Sequence, residues 1–426
     1  MWRNGITVTG VILAVLWAAN AAQPAARKVT VTISGLGLDH ATELRRDALD
    51  ELERVTGIRA DLLPTPGDSA NQLTQSLRLL EAHAATPDVY VIDVVWPGAL
   101  GQHLMDLGPW LAVSPRSHLP ALLQNDVVNG HLVSLPFYLN VGMLYCRRDL
   151  LEKYGYQHPP GNWGELESMA RRIQRGERAA GNRDFWGYVW QGAPFEGLTC
   201  NALEWQASFG GGHIIEPDGT VSVNNPGTIR ALRQATRWVG SISPATVLSY
   251  TEADSLNAFQ SGNAAFLRYW SSGFPPASLR DKVRVALLPS GPRGRAQVMG
   301  GFQLAVSRYS AHPREAARLI EFLTGSEVQM RRALTRGYLP TIPRLYDQPE
   351  LSKALPQIAE LRHAGLQSWV ARPSTVTGAK YARVSKAYYQ TVHDVLSRKV
   401  EAKEGVARLE QQLVELTGFR AGAPPK

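Results

Sequence analysis

Cysteine is scarce in this sequence, with only Cys146 and Cys200 among 426 residues. Neither lies near the N-terminus, so the sequence offers no cysteine for a lipid anchor there. Two cysteines are the minimum for one disulfide in an oxidising compartment, and two separate buried thiols fit their spacing equally well. The ten histidines are dispersed, without an H-E-x-x-H motif or a Cys/His cluster. This scarcity argues against a structural or catalytic zinc site.

Motifs for nucleotide and acyl chemistry are also missing. Gly35-Leu36-Gly37 follows a strand-like segment, but His40 occupies the position where the dinucleotide-binding fingerprint needs a third glycine. The sequence contains neither a G-x-x-x-x-G-K-[ST] phosphate loop nor a G-x-S-x-G elbow. We therefore expect no cofactor. The carboxylate pair of a glycoside hydrolase leaves no linear signature, so Asp93 with Glu196 or Glu204 stays open as such a pair.

A long run of charge of one sign is absent as well. The formal net charge is +8, but the positive residues are scattered and no aromatic-rich RNA-binding pattern accompanies them. Solvated helix faces account for such short basic patches, so we expect no nucleic-acid partner. With 44% hydrophobic and 19% charged residues, the chain is able to bury a substantial core in one large domain or two of ordinary size.

One hydrophobic run stands out, and it is at the N-terminus. Arg3 precedes the apolar stretch Ile6–Trp17, which is too short to span a bilayer as a stable helix. Ala19-Asn20-Ala21 then forms an A-x-A cleavage site. This pattern predicts a signal peptide over residues 1–22 and export to the periplasm, the alternative being an uncleaved N-terminal anchor.

The rest of the chain alternates between strand-like and helix-like segments. Lys28–Ser34, Ile58–Leu63 and Val89–Val94 have the composition of strands, with helical patterns between them. This β-α-β-α-β order predicts an α/β fold with a parallel sheet. A second block of strands and helices begins near Leu139, and the C-terminal tail is predicted to be helical.

The most informative segment is a valine-rich strand pattern that ends near a carboxylate, Asp93, with Trp96 three residues later. In open parallel sheets, ligands bind beyond the carboxyl ends of the strands. A carboxylate accepts hydroxyl hydrogen bonds while an indole ring covers the apolar face of a sugar, so this pair suits a polyhydroxylated ligand. A helix-capping Asp and a core Trp are the alternative. Tyr138, Trp270 and Phe302 also lie at predicted strand ends or beside glycine.

Six stretches, spread in order along almost the whole mature chain, carry a resemblance to known proteins. They are Pro87–Trp96, Leu135–Asn140, Arg147–Tyr156, Trp186–Asn201, Gly262–Phe266 and Gly300–Phe302. In these stretches the chain resembles the family 1 extracellular solute-binding proteins of ABC importers, the maltose-binding-protein-like group.

The resemblance implies a two-lobed periplasmic-binding-protein fold of type II, with the ligand held in a cleft between the lobes. It implies three hinge crossovers, near Pro136–Asn140, Arg268–Trp270 and Gly325. The first lobe would comprise residues 28–137 and 270–325, and the second would comprise residues 138–269 and 326–420. Closure would be a hinge motion stabilised by a ligand that contacts both lobes.

The resemblance also implies roles for single residues. Asp93 would bind sugar hydroxyls, Trp270 would be the main stacking ring, and Arg372 would grip the ligand from the side opposite Asp93. The remaining ligand-binding positions implied by the resemblance are Tyr138, Asn140, Gly301, Phe302, His40 and Gln72. Asn140 stands where a relative has a carboxylate, so one hydrogen bond to the sugar would be weakened.

The function implied is that of a substrate-binding protein of an ABC sugar importer. It would capture a di- or oligosaccharide, a trehalose- or maltose-like α-glucoside, and deliver it as a monomer to transmembrane permease subunits. Such a protein is not an enzyme. The alternatives are an exported glycoside hydrolase that uses Asp93 and Glu204, and a binding protein of the same fold for a non-sugar solute.

Overall fold

The computed structural model describes residues 29–35, 44, 48–66, 69–112, 115–272, 279–355 and 368–425. The predicted signal peptide and His40 lie outside these residues. Within the described ranges, no helix combines the length and the apolar character needed to cross a membrane.

The described chain alternates between strands and helices, as the sequence predicts. The strands are β1 (Val29–Ser34), β2 (Ile58–Leu62), β3 (Val89–Asp93), β4 (Val127–Val128), β5 (His131–Leu132), β6 (Leu135–Arg147), β7 (Trp186–Val189), β8 (Ala264–Trp270), β9 (Val283–Leu287), β10 (Gln297–Val306) and β11 (Trp369–Val370). The α-helices are α1 (Asp50–Thr56), α2 (Ser69–Glu81), α3 (Pro97–Leu100), α4 (Pro120–Asn125), α5 (Arg148–Lys153), α6 (Trp163–Ala179), α7 (Glu196–Ser208), α8 (Pro226–Trp238), α9 (Glu252–Gln260), α10 (Pro313–Thr324), α11 (Ser326–Arg336), α12 (Pro349–Ala354), α13 (Ser374–Thr377), α14 (Tyr381–Leu396) and α15 (Ala402–Thr417).

The main sheet has the strand order β2-β1-β3-β10-β6-β8-β7, with β11 beside β10 and β9 beside β6. The β1 strand is parallel to β2 and β3, which confirms the parallel arrangement predicted for the first block. At the other end, β7 and β8 are also parallel. Two antiparallel strands, β10 and β6, lie between these parallel groups. The two lobes are therefore joined through shared strands.

Strand β6 is longer than the sequence pattern indicates, because it runs through both lobes. Leu135–Val141 pairs with β10, and Gly142–Arg147 pairs with β8 and β9. The change of partner occurs next to the crossover predicted at Pro136–Asn140. Nearly every residue of β6 is buried, as expected for a strand that is covered on both faces.

The other two crossovers differ from their predicted positions. Val283–Leu287 pairs with the distal half of β6, so β9 lies with the second lobe, although residues 270–325 were expected in the first. The chain crosses back along β10, whose two ends pair with β11 and β3. After Gly325 the chain stays with the first lobe, because Val328 packs in the same core cluster as Val31. It reaches the second lobe again at Val370.

Tryptophan side chains form the centre of the second-lobe core. The rings of Trp190 and Trp205 meet edge to face at 5.0 Å, and those of Trp205 and Trp238 do so at 5.7 Å. Aromatic pairs favour this geometry. Helix α7, which carries Trp205, is buried on all sides, polar residues included. The packing of α7 consequently fixes the positions of its two acidic residues, Glu196 and Glu204, near the boundary between the lobes.

Cys146 and Cys200 are both buried and are not joined by a disulfide. The sequence left a disulfide and two separate thiols open, and the structure has separate thiols. Burial raises the pKa of the Cys200 thiol to about 12, so it is protonated at neutral pH.

Asp126, which follows α4, provides a test of burial in the first lobe. Its carboxyl group is buried, and Ser134 Oγ donates a hydrogen bond of 2.6 Å to Oδ1. Burial raises the pKa of Asp126 from 3.8 to about 8. The pKa of Asp126 is therefore higher in the folded than in the unfolded protein. The protonated carboxyl contributes to stability fully below the unfolded pKa, and this contribution is lost as the pH rises through the folded pKa.

We expect Asp126→Asn to gain unfolding free energy relative to the wild type as the pH rises from about 4 to about 8, by at most about 1.4 kcal/mol per pH unit. Asparagine keeps an oxygen for Ser134 and has no charge to bury. Urea denaturation across this range measures the difference. Asp106→Asn is the matched control, because a hydrogen bond from His131 lowers the pKa of Asp106, so its contribution to stability is already complete above the unfolded pKa and its difference from the wild type should stay nearly constant over this range. A pH-independent difference for Asp126→Asn would contradict the prediction.

Candidate functional site

Asp93 occupies the last position of β3, at the strand end that the sequence indicates. Its Oδ1 accepts hydrogen bonds from the backbone N–H of Val95 at 3.1 Å and from Nη2 of Arg372 at 3.3 Å. Burial raises the pKa of the Asp93 carboxyl, while the positive charge of Arg372 acts in the opposite direction. The side chain is still 15% exposed, so Asp93 remains accessible to a ligand.

Arg372, which follows β11, bridges two carboxylates. Its Nη2 contacts Asp93, and its Nη1 donates to Oε1 of Glu196 at 2.7 Å. The Arg372 side chain is 2% exposed, whereas that of Glu196 is 23% exposed. Asp93 belongs to a first-lobe strand and Glu196 to a second-lobe helix, so the guanidinium group links the lobes. Asp93 and Arg372 thus contact each other directly, although they were expected on opposite sides of a ligand.

Glu196 is the first residue of α7, where the helix dipole favours a negative charge. Ser385 Oγ donates to its Oε2 at 2.6 Å, and the hydroxyl of Tyr381 donates to its Oε1. Both donors lie on α14. In the sequence, Glu196 is a candidate only as the partner of Asp93 in a hydrolytic carboxylate pair. Nothing in the sequence marks Tyr381 as a site residue, because it does not follow a strand.

Trp270 is the last residue of β8, and its ring is held on several sides. The guanidinium carbon of Arg268 lies 4.3 Å from the ring centroid. A Cβ atom on Gly300 would come within 2.9 Å of Cζ3, so this glycine allows β10 to approach the ring closely. Glu252, the first residue of α9, lies beside Trp270, whose side chain acts to lower the pKa of the Glu252 carboxyl. Burial raises the pKa of the Glu252 carboxyl. The indole is therefore fixed in orientation while remaining partly exposed.

Three aromatic rings form an aromatic wall, which we define as Tyr138, Phe302 and Tyr338. The centroid distances are 5.4 Å between Tyr138 and Phe302 and 4.4 Å between Tyr138 and Tyr338. Phe302 is the β-sheet partner of Asp93, so the aromatic wall begins beside that carboxylate. The guanidinium carbon of Arg332 lies 4.7 Å from the ring centroid of Tyr338. Tyr338 follows a helix, so no strand-end signal identifies it in the sequence.

Strand β10 brings these groups together. The carbonyl of Met299 accepts a hydrogen bond from Arg372 at 3.5 Å, and the next residue, Gly300, meets the ring of Trp270. Two residues further on, the strand reaches Asp93 and the aromatic wall. Six predicted site residues consequently lie on or against one stretch of β10: Asp93, Tyr138, Trp270, Gly301, Phe302 and Arg372.

Other predicted site residues have structural contacts. Asn140 is buried, and its Oδ1 accepts hydrogen bonds of 3.1 Å from Ser271 Oγ and from the backbone N–H of Ser272. Trp96 is only 4% exposed and packs in a hydrophobic cluster, which is the core alternative for this residue. Gln72 lies on α2, where its Nε2 donates to the carbonyl of Pro66 at 2.6 Å.

Glu204 is not available for hydrolysis. Its side chain is 0% exposed, and Arg268, which is equally buried, donates to both of its oxygens at 2.9 and 2.5 Å. The backbone N–H of Val298 donates to Oε1 as well, at 3.2 Å. The alternative of a glycoside hydrolase that uses Asp93 with Glu204 is therefore wrong, because the second carboxylate has no access to a substrate.

The arrangement suits a ligand that is neutral and rich in hydroxyl groups. Arg372 offsets one of the two negative charges of Asp93 and Glu196, and the three side chains keep oxygens and N–H groups that bind hydroxyls. The faces of Trp270 and of the aromatic wall provide apolar surface for sugar C–H groups. In the part of the chain that the structure describes, no three His, Cys, Asp or Glu side chains are grouped to hold a metal ion.

Comparisons with known proteins identify the family and the fold of the chain. A model of the bacterial extracellular solute-binding protein family matches residues 39–330. A Deinococcus radiodurans protein described as a probable ABC transporter-binding protein is 42% identical over 410 residues, which is 95% of this chain and 97% of the relative. The structure of maltose-bound MalE3 from T. maritima has a TM-score of 0.83 at 32% identity, covering 91% of this chain and 100% of that chain.

A second solved structure supports the fold alone. The GacH receptor of Streptomyces glaucescens, solved unliganded and with acarbose, has a TM-score of 0.80 at 20% identity. The match covers 92% of this chain and 99% of that chain. The predicted two-lobed α/β fold and the family resemblance are confirmed.

Gly301 tests how closely β10 and β6 must approach at the site. Its φ is +132°, and a Cβ atom there would lie 2.3 Å from the carbonyl oxygen of Tyr138. We expect Gly301→Ala to lower the unfolding free energy by about 2 kcal/mol or more, because both the dihedral and the contact become unfavourable. Gly294→Ala is the matched control, since Gly294 has a φ of +111° but no atom within 4 Å. Chemical denaturation of both variants checks this, and equal losses would show that the contact with Tyr138 is unimportant.

Proposed function

Because the chain belongs to the bacterial extracellular solute-binding protein family, we propose that it is the substrate-binding protein of an ABC importer and that its cargo is a di- or oligosaccharide. The observation that carries this proposal is the convergence, around β10, of a carboxylate, an arginine and several aromatic faces. Carbohydrate recognition needs this combination, because a sugar offers hydroxyl groups at its edge and C–H groups on its faces.

Within this class we propose a trehalose- or maltose-like α-glucoside. The maltose-bound relative at 32% identity supports the α-glucoside. Asp93 and Glu196 outnumber the single positive charge of Arg372, so this cluster offers no net positive charge to an anionic ligand, which supports a sugar over an anion. Asn140, which holds the segment after β8 in place, adds no charge to the site.

Capture would couple to closure of the lobes. Strands β6 and β10 connect the lobes and are the natural hinge, and Arg372 contacts a carboxylate from each lobe. A ligand that joins this network would stabilise the closed form through contacts that exist only there. In this proposal the protein acts as a monomer, is exported to the periplasm by its signal peptide and delivers the sugar to the permease.

Titration calorimetry of the mature protein tests the proposed function. The panel contains maltose, trehalose and maltotriose, with glycerol 3-phosphate and free amino acids as non-sugar solutes. We expect saturable binding of at least one α-glucoside and no glucose release on prolonged incubation. Binding confined to a non-sugar solute would overturn the sugar assignment while leaving the importer role, and steady glucose release would overturn the receptor role.

Trp270→Ala should weaken binding of the α-glucoside by about tenfold or more, because a ring that becomes covered when it stacks on the ligand acts as an anchor residue. The matched control is Trp110→Ala, since Trp110 is an exposed tryptophan in a different part of the molecule. Its dissociation constant should stay close to that of the wild type. An unchanged dissociation constant for Trp270→Ala would remove this ring from the site.

A further inference from the structure

The Glu204–Arg268 ion pair lies entirely inside the protein, next to the proposed site. Both side chains are 0% exposed, and the guanidinium group contacts the carboxylate through Nε at 2.9 Å and Nη2 at 2.5 Å. The third donor, Nη1, is 3.2 Å from Oε1 of Gln191. This bidentate geometry fixes the plane of the guanidinium group.

Stability does not explain this pair. Removing two charges from water costs free energy that their attraction only partly returns, and well-packed apolar residues are often equally stable or better in such places. The surrounding backbone also makes room for the pair. A Cβ atom on Gly142 would lie 2.0 Å from Oε1 of Glu204 and 2.7 Å from Nη2 of Arg268, so β6 needs glycine at an interior position that weakens a strand.

The pair is connected directly to the ring of Trp270. Arg268 and Trp270 are two residues apart on β8, so their side chains leave the strand on the same face. The guanidinium carbon is 4.3 Å from the ring centroid, and Gly300 of β10 lies against the ring at Cζ3. A planar guanidinium stacks on an aromatic face in a way that a lysine ammonium does not.

A second branch of the same hydrogen-bond network extends to the start of α9, beside Trp270. Gln191, which contacts Arg268, donates from Nε2 to Ser255 Oγ at 2.8 Å. Ser255 lies on α9, and its Oγ donates at 3.0 Å to the carbonyl of Glu252, the first residue of that helix. Glu252 lies beside Trp270, whose side chain acts to lower the pKa of the Glu252 carboxyl, so the surroundings of the ring are linked to the buried pair on this side as well.

We infer that the buried Glu204–Arg268 pair is a positioning device, which sets the plane of the Trp270 indole so that its exposed face is ready to stack on a sugar. Glu204 and Arg268 have no contact with the ligand in this assignment. The inference rests on the proposed function, because it gives Trp270 the stacking role.

A double-mutant cycle on the full mature protein tests the inference. Arg268→Met/Glu204→Leu replaces both charges by apolar side chains, which avoids leaving one charge buried alone. This change is made in the wild type and in the Trp270→Ala background, and maltose and trehalose affinities are measured by calorimetry with the melting temperature alongside. Arg408→Met/Glu404→Leu, at an exposed ion pair on α15, is the matched control.

If the pair acts through Trp270, its removal weakens sugar binding by about tenfold in the wild type but by less than about twofold when the ring is already absent. Equal losses in both backgrounds would overturn the inference, because they would indicate a general structural role. No loss in either background would overturn it too. Should the double variant not fold, Arg268→Lys decides in the same cycle, since lysine keeps the charge opposite Glu204 and loses the stacked plane.

A ligand-independent measurement separates this inference from the proposed function. The protein is labelled with 5-fluorotryptophan, and the fluorine resonance of Trp270 is assigned by its loss in Trp270→Phe. We expect this resonance to show motional averaging and greater accessibility to a soluble quencher in the double variant. If no sugar binds the wild type but the ring becomes mobile in the variant, the proposed function fails and the positioning role stands. A ring that is equally immobile in both proteins would overturn the positioning role.

Discussion

The antiparallel pairing of β6 with β10 is the constraint on which the rest of the structure depends. Both strands pass from one lobe to the other, so their contact extends across the boundary between the lobes. Gly301 allows the two backbones to approach closely there, and Gly300 admits the ring of Trp270. The site is thus built on the hinge itself, and a change in the angle between the lobes would change the distances among the groups that line it.

Two arginines near this boundary, Arg372 and Arg268, differ in the exposure of the carboxylates with which they pair. Arg372 shares its charge between Asp93 and Glu196, which are still partly exposed, so a ligand is able to compete for these oxygens or add to them. Arg268 is matched by the fully buried Glu204 and has no access to a ligand. In the proposals made above, a charge that is sequestered in this way orients its neighbours, and a charge that stays at the cleft takes part in recognition.

Much of the site follows from the sequence because strand ends and glycines leave local signals. Asp93, Trp270 and Phe302 were identified from positions at strand ends or beside glycine, and the structure places all three around β10. The family resemblance added Arg372. The contact of Arg372 with Glu196, and the places of Tyr338 and Tyr381, carried no such signal, because they depend on helices that meet the site from distant parts of the chain. Trp96 lies after a strand as well, but it is buried in the core, so a position at a strand end does not by itself place an aromatic residue in the site.

The sequence by itself determined the α/β alternation and the family, and it predicted the chemical character of the candidate site, because hydrophobic periodicity and motifs are properties of short stretches of sequence. Only the tertiary structure decided where the chain crosses between the lobes, which carboxylate each arginine pairs with and which acidic residues are sealed from solvent. These properties depend on strand register and on contacts between residues far apart in the chain, such as Asp93 with Arg372 and Glu204 with Arg268. No local pattern encodes such contacts, since they arise only when the packed core fixes both partners in space.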